Sequence, residues 1–369
     1  MNRKGTLGAV VGIALLGLLV WWLVSQTTST VPGGSDPTAT PTSVDPKKGP
    51  PGSTGKPTVV TPTKVKVAES ATPANELAKF GWGNGEGNLG RSRPDEANPE
   101  APMSLTVDVA GNAWVLDQVN DRLVKLDRSG KVVQTIPLTV QGPQDVAVTA
   151  DGKVLVLDRL IDKSIAVIGP DGKPLGELPI AGKGLEETGG VTWLFTEGDS
   201  VYVEREHGDS VRVGDTSGKA DTERPEVPGR PGQDGRTYLT AGIVDGASGL
   251  VMVNVNDAPS KAHRFTRQLV LGAHVVALNA LDTDRSSIIY LGTVVEQPGS
   301  TAEAPKFGIA LLCLDPLDGR ILGQAAWAAN AGAEETFREL SVLPEGGVVF
   351  LERTEQGSRL VKYSCAGGP

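Results

Sequence analysis

Between Pro102 and Asp158 the chain writes one pattern twice, and this repetition constrains the fold more than any other feature. One copy reads Met103-Ser104-Leu105-Thr106-Val107-Asp108-Val109-Ala110-Gly111-Asn112-Ala113-Trp114-Val115-Leu116-Asp117. The next reads Gln144-Asp145-Val146-Ala147-Val148-Thr149-Ala150-Asp151-Gly152-Lys153-Val154-Leu155-Val156-Leu157-Asp158. Each alternates apolar residues, turns at a glycine, resumes an apolar run and closes on Asp, which is strand, tight turn, strand. A third strand and a second turn follow in both copies. They are Leu123 to Leu126 with Asp127-Arg128-Ser129-Gly130, and Ile165 to Ile168 with Pro170-Asp171-Gly172.

Weaker copies continue the series: Val191 to Glu204, Tyr238 to Asn254 turning at Asp245-Gly246, Val275 to Thr293 turning around Asp282-Thr283-Asp284, and Glu339 to Glu352. Six copies over roughly 290 residues give about 50 residues each, the size of a four-stranded propeller blade. The last copy runs out after its third strand, Leu360 to Tyr363, so its sheet needs an outer strand from elsewhere. Leu77 to Trp82, ahead of the first copy, is expected to supply it and seal the edge. The fold class is therefore all-β: a six-bladed β-propeller of four-stranded blades over residues 76–369.

Composition agrees and removes alternatives. Gly 47 and Pro 26 suit a chain of many turns, and 39% hydrophobic residues leave material for a core. A net charge of -9 with no basic run excludes nucleic acid, which needs a concentrated basic face. The two cysteines, Cys313 and Cys365, have no zinc-type spacing. They could pair in an oxidising compartment, but repeat alignment puts them in neighbouring blades, which weighs against the Cα separation of about 4.4–6.8 Å that a disulfide requires. Two semi-buried thiols are expected.

The first residues belong to a different solvent. Arg3 and Lys4 precede an apolar run from Thr6 to Val24 that ends on Trp21 and Trp22. About 19 residues rising 1.5 Å each span about 28 Å, a hydrocarbon core, with indoles at the interface. Residues 6–25 are read as an uncleaved signal anchor, because Leu23-Val24-Ser25-Gln26 is a poor cleavage site. With positive charge only on the N-terminal side, residues 1–5 lie in the cytoplasm and the propeller lies in the periplasm or at the cell surface. Residues 26–75, rich in Pro, Thr, Ser and Gly, form a disordered stalk whose role is spacing.

From Pro102 to Asp108, through Gly111-Asn112, Trp114-Val115-Leu116-Asp117, Asn120, Arg122 and Asp127 to Gly130, the chain resembles the NHL-repeat family of six-bladed propellers. The lead-in Phe80-Gly81 fits too. The second copy keeps Pro143, Asp151-Gly152, Asp158 and Pro170-Asp171-Gly172, but has Leu160-Ile161-Asp162-Lys163 where the family prefers Asn and Arg. The resemblance covers about Phe80 to Ile180. It implies the fold and usually a binding role, in a family that includes a few lyases; fold by itself does not settle function.

Candidate site residues follow from blade topology. Loops between second and third strands gather on one face, at the mouth of the central channel. There Asp117 (with Arg122), Asp158, Glu204 and Glu352 close strands, and Arg159, Arg205 and Arg353 follow three of them. They make either a mixed-charge docking ring or a set of acids satisfied within their own loops. His207 and His263 fall in the same class of loop and His274 precedes an inner strand, so three imidazoles could meet to hold a metal. No G-x-S-x-G, P-loop or HExxH is present, no catalytic residue is assigned and no cofactor is expected. The expected function is a membrane-anchored scaffold that recruits an envelope protein partner. A lyase or hydrolase built on the His, Arg and acid groups is the alternative. A cell-wall glycan module is the third reading, and 4% aromatic residues weigh against it.

Overall fold

A computed structural model of the protein describes residues 61–67, 72 and 74–367. The expected membrane anchor and most of the expected stalk lie outside the described residues. Within them the strands form six sheets. Blade 1 holds Ser104–Val107, Ala113–Asp117, Arg122–Leu126 and Val132–Pro137, counted outward from the channel. Blade 2 holds Asp145–Val148, Val154–Asp158, Ser164–Ile168 and Pro174–Pro179, and blade 3 holds Val191–Glu197, Ser200–Arg205, Ser210–Asp215 and Glu226–Val227.

The turn residues explain why these segments fold locally. Asp108 Oδ1 accepts the N–H groups of Ala110 and Asn112, and its Oδ2 accepts the indole N–H of Trp114. Gly111 supplies the left-handed residue of that turn at φ 81. Blade 5 repeats the device: Asp284 accepts from Ser286, Ile288 and the Tyr290 hydroxyl. The second strands Ala113–Asp117 and Val154–Asp158 are buried at every residue because neighbouring blades cover both faces. Trp114 and Leu116 of blade 1 thus share one core with Val146, Val154 and Val156 of blade 2.

Blade 4 departs from the expected register. Its innermost strand is the short Arg230–Pro231, followed outward by Thr237–Asp245, Leu250–Asp257 and His263–Val270. The Tyr238 strand is therefore second rather than innermost, and the turn at Asp245-Gly246 joins second and third strands. Contacts with blade 5 agree: Val275, opening that blade's inner strand, donates to Gly246 O, and Gln233 meets Asp282 at the strand's far end. The inner strand leaves no sign in the sequence because two residues, one of them a proline, carry no alternation.

Closure uses both ends of the chain. Blade 6 contains Leu340–Val342, Val348–Thr354 and Gly357–Tyr363, and Asn75–Trp82 pairs antiparallel with the last as its outer strand. That is the closing role expected of Leu77 to Trp82. The contact is close, for a Cβ on Gly357 of that last strand would lie 2.0 Å from Phe80 O. The expected stalk boundary at residue 75 moves toward the N-terminus. Thr63–Lys64 pairs parallel with Leu269 and Val270 on the outside of blade 4, Val65 is buried against that blade's core, and Thr72 bonds Ala326 of blade 5. Apolar Val65 and Val67 break the polar composition there, which is why this stretch packs.

The expectation of free thiols is corrected. Blade 5 holds Val275–Thr283, Ile289–Glu296, Phe307–Leu314 and Ile321–Ala328. After blade 6 the chain crosses back and Ala366–Gly367 pairs with Gly323 and Gln324 of blade 5. This brings Cys365 to Cys313 as a disulfide with a Cα separation of 6.3 Å. Repeat alignment assigned Cys365 to blade 6 and gave no sign of the return.

Candidate functional site at the upper mouth

Inner strands run parallel, so one face, here called upper, carries their beginnings together with the loops between second and third strands. Below it the centre of the ring is filled by charge and aromatics. Asp145, wholly buried, accepts the Ser104 hydroxyl, the Leu194 N–H and the Arg338 guanidinium. Glu204 accepts Arg230 and the Thr192 hydroxyl. Between these pairs the Trp193 ring carries Arg230 at 3.9 Å and Arg338 at 4.6 Å, and stacks on Phe195 at 5.9 Å. Trp193 lines the upper cavity, while Phe195 and Arg338 line the lower one. The stack lies between the two mouths.

Burial alone would raise the Glu204 carboxyl, but Arg230, His207 and Thr192 outweigh it and hold it down at about 2. A depressed acid stabilises the fold fully above its unfolded value, 4.5, and that contribution is lost as pH falls through about 2. At about 1.4 kcal/mol per pH unit the pairing contributes roughly 3 kcal/mol. Denaturant midpoints measured from pH 5 to pH 2 should therefore decline, and Glu204→Gln should lack that part of the decline. An identical pH slope in the variant would refute the assignment.

Of the proposed ring, the structure brings only part together. Arg159, Arg353 and His207 line one upper cavity of about 440 Å³ with Thr192, Asn279 and Phe337. Arg205 turns aside to Gly184 O and Glu226. Asp158 accepts Leu160, Ile161 and Gly142 N–H groups, so it is satisfied at its own loop. Asp117 accepts Gly90 N–H, Asn120 and Arg122, and Arg122 also reaches Asn88 O, tying down the lead-in. Glu352 pairs with Arg359 on the adjacent strand. Glu204 belongs to the central stack.

The three histidines do not meet. His207 Nδ1 lies 3.4 Å from Glu204, on a loop where Glu206 and His207 take φ 49 and 59. His274 pairs with Glu296, also on the upper side. His263 sits between third and fourth strands of blade 4, on the opposite face, beside Thr266. The shift of register in blade 4 removes it from the loop class expected for it. Among the described residues no three His, Cys, Asp or Glu side chains are grouped to hold a metal.

Sequence reasoning missed Asp145, Arg230 and Arg338. Asp145 carried a signal, since it puts a charge into an inner strand at the place where the first copy has Ser104. Arg230 lies in a proline- and glycine-rich connection and Arg338 at the edge of a copy, and neither breaks a pattern.

No family model matches the chain, and no curated protein does. Among solved structures, it is similar to hydrazine synthase of Kuenenia stuttgartiensis at 15% identity, over 68% of this chain and 74% of that one, with a TM-score of 0.46. It is also similar to virginiamycin B lyase of Staphylococcus aureus (10% identity, 72% and 95% covered, TM-score 0.41). A third is the calcium-binding protein regucalcin of Agrobacterium tumefaciens (15%, 73% and 92%, TM-score 0.40). The six-bladed architecture rests on the strand order described above.

Proposed function

We propose that the propeller is a docking module which receives a protein segment on its upper face, held outside the cytoplasm by the N-terminal anchor. The observation that carries this reading is the cavity with two underused guanidinium groups, Arg159 and Arg353, on a face rich in exposed apolar side chains. Leu160 and Ile161 of blade 2, Ile243 and Val244 of blade 4, and Val276 of blade 5 are all exposed there. Apolar contact with a few oriented polar groups is the composition of a protein-binding surface. The disulfide supports an oxidising compartment. A glycan reading loses its best aromatic platform, because Trp193 is buried and already engaged by two arginines and Phe195.

Crosslinked capture from membranes with the full-length protein tests this. A discrete partner should be retained by the unsubstituted protein and reduced at least tenfold by Leu160→Asp with Ile161→Asp, in keeping with loss of an interface anchor. Retention unchanged by those substitutions would sink the docking reading. One contact favours a second reading: Glu204 holds Nδ1 of His207 while the ring lines the cavity, an arrangement suited to general-base chemistry. Turnover of a bound substrate that disappears in His207→Gln would move the function to that class.

A further inference from the structure

We propose that the upper cavity is a carboxylate clamp, in which Arg159 and Arg353 together take one carboxylate of an acidic peptide segment. The proposal rests on the docking reading and specifies what the mouth recognises. Both guanidinium groups are fixed in place by neutral acceptors. Arg159 Nη1 donates to Val191 O at 2.6 Å and Gly189 O at 3.0 Å, and the group lies 5.0 Å over the Phe337 ring. Arg353 Nη1 donates to Glu334 O at 2.9 Å, with its side chain only 7% exposed.

Among the described residues neither Nη2 donates a hydrogen bond; the nearest acid to that of Arg353 is Glu339, at 3.9 Å. This separates the two from Arg230 and Arg338, which also lie at the centre of the ring but each hold a carboxylate in hydrogen-bonding contact. Burial pushes both Arg159 and Arg353 down from their ordinary value, as expected of cations held without a bonded anion. Glu334 is neutralised by Arg91 and Arg93. Glu335 and Glu339 also line the cavity, which favours a single negative charge over the double charge of a phosphate. A guanidinium fork with free donors matches the planar carboxylate, and a lysine ammonium does not.

Four probes decide between sources. N-acetylglycine carries a chain-terminal carboxylate, N-acetylglutamate α-amide a side-chain one, N-acetylglycinamide neither, and inorganic phosphate tests the dianion. Ligand-observed NMR on the full-length protein should show one of the two carboxylates binding with Kd on the order of millimolar, a small-ligand affinity. Binding should weaken at least tenfold in Arg159→Lys and in Arg353→Lys, with the amide silent. Equal binding of the neutral amide, tighter binding of phosphate than of either carboxylate, or full carboxylate affinity in the double lysine variant would overturn the clamp. Should a lysine variant lose its unfolding transition, the acid-against-amide comparison on the unsubstituted protein decides alone. Partner capture lost with Leu160→Asp and Ile161→Asp but kept in the double lysine variant would remove the clamp and leave docking standing. Capture kept in both would remove docking itself.

Discussion

Asp145→Ala is expected to destabilise the propeller by about 3–5 kcal/mol, the cost typical of stripping one partner from a buried ion pair. The reason is where this carboxylate sits. It belongs to blade 2, yet its oxygens accept Ser104 of blade 1, Leu194 N–H of blade 3 and Arg338, which leads into blade 6. One carboxylate thus ties four of the six blades together. Removing the acid leaves Arg338 buried over Trp193 with Leu194 O as its remaining hydrogen-bond partner. Unfolding in denaturant measures the loss. Adding Arg338→Met to the same chain should recover part of it, because an apolar side chain leaves no charge unpaired. A loss below about 1 kcal/mol for Asp145→Ala alone would mean that the junction is an ornament of the fold rather than its tie, since ordinary surface changes reach that size.

Opening the disulfide, by Cys365→Ser or by reduction, is expected to lower stability by about 4 kcal/mol at most, the chain-entropy value for a closed loop of this size. Cys313 and Cys365 are 52 residues apart, a span that takes in the rest of blade 5 and the described part of blade 6 before Asn75–Trp82 joins it. The bond thus holds the chain's return to blade 5 while the N-terminal strand seals blade 6. Its loss should also raise the susceptibility of the C-terminal residues to proteolysis before global unfolding, because the two-residue pairing Ala366–Gly367 is too short to persist alone. Calorimetry with and without reductant, alongside limited proteolysis, reads both effects. An unchanged unfolding transition under reduction would show that the bond constrains nothing the blades do not already fix.

Much of the blade pattern was legible because it is made by neighbours in sequence. The Asp108 turn works through residues two, four and six positions on, and its counterpart at Asp284 keeps the same spacing although the strands around it are irregular. Of the two roles open to the strand-closing acids, Asp158 takes the local one for the same reason, accepting N–H groups two and three positions on. The need for a closing strand was legible too, since an unpaired last sheet demands one and Leu77 to Trp82 was the apolar segment available.

Blade 4 shows where that legibility ends. Arg230–Pro231 became an inner strand because the ring leaves a place for it beside Thr237–Asp245, and its own two residues announce nothing. That one-strand shift sent His263 to the opposite face, away from the side where three imidazoles could have met. The sequence by itself determined the blades, their turns and the closing strand, because hydrogen bonds over two to six residues and strict alternation encode them locally. The tertiary structure alone decided the site: Arg338 meets Asp145 across 193 residues, Cys365 meets Cys313 by a crossing back, and Arg159 and Arg353 come to one cavity from blades 2 and 6. Such partners are chosen by ring closure, and side chains so far apart in the chain leave no periodic mark of the contact they will make.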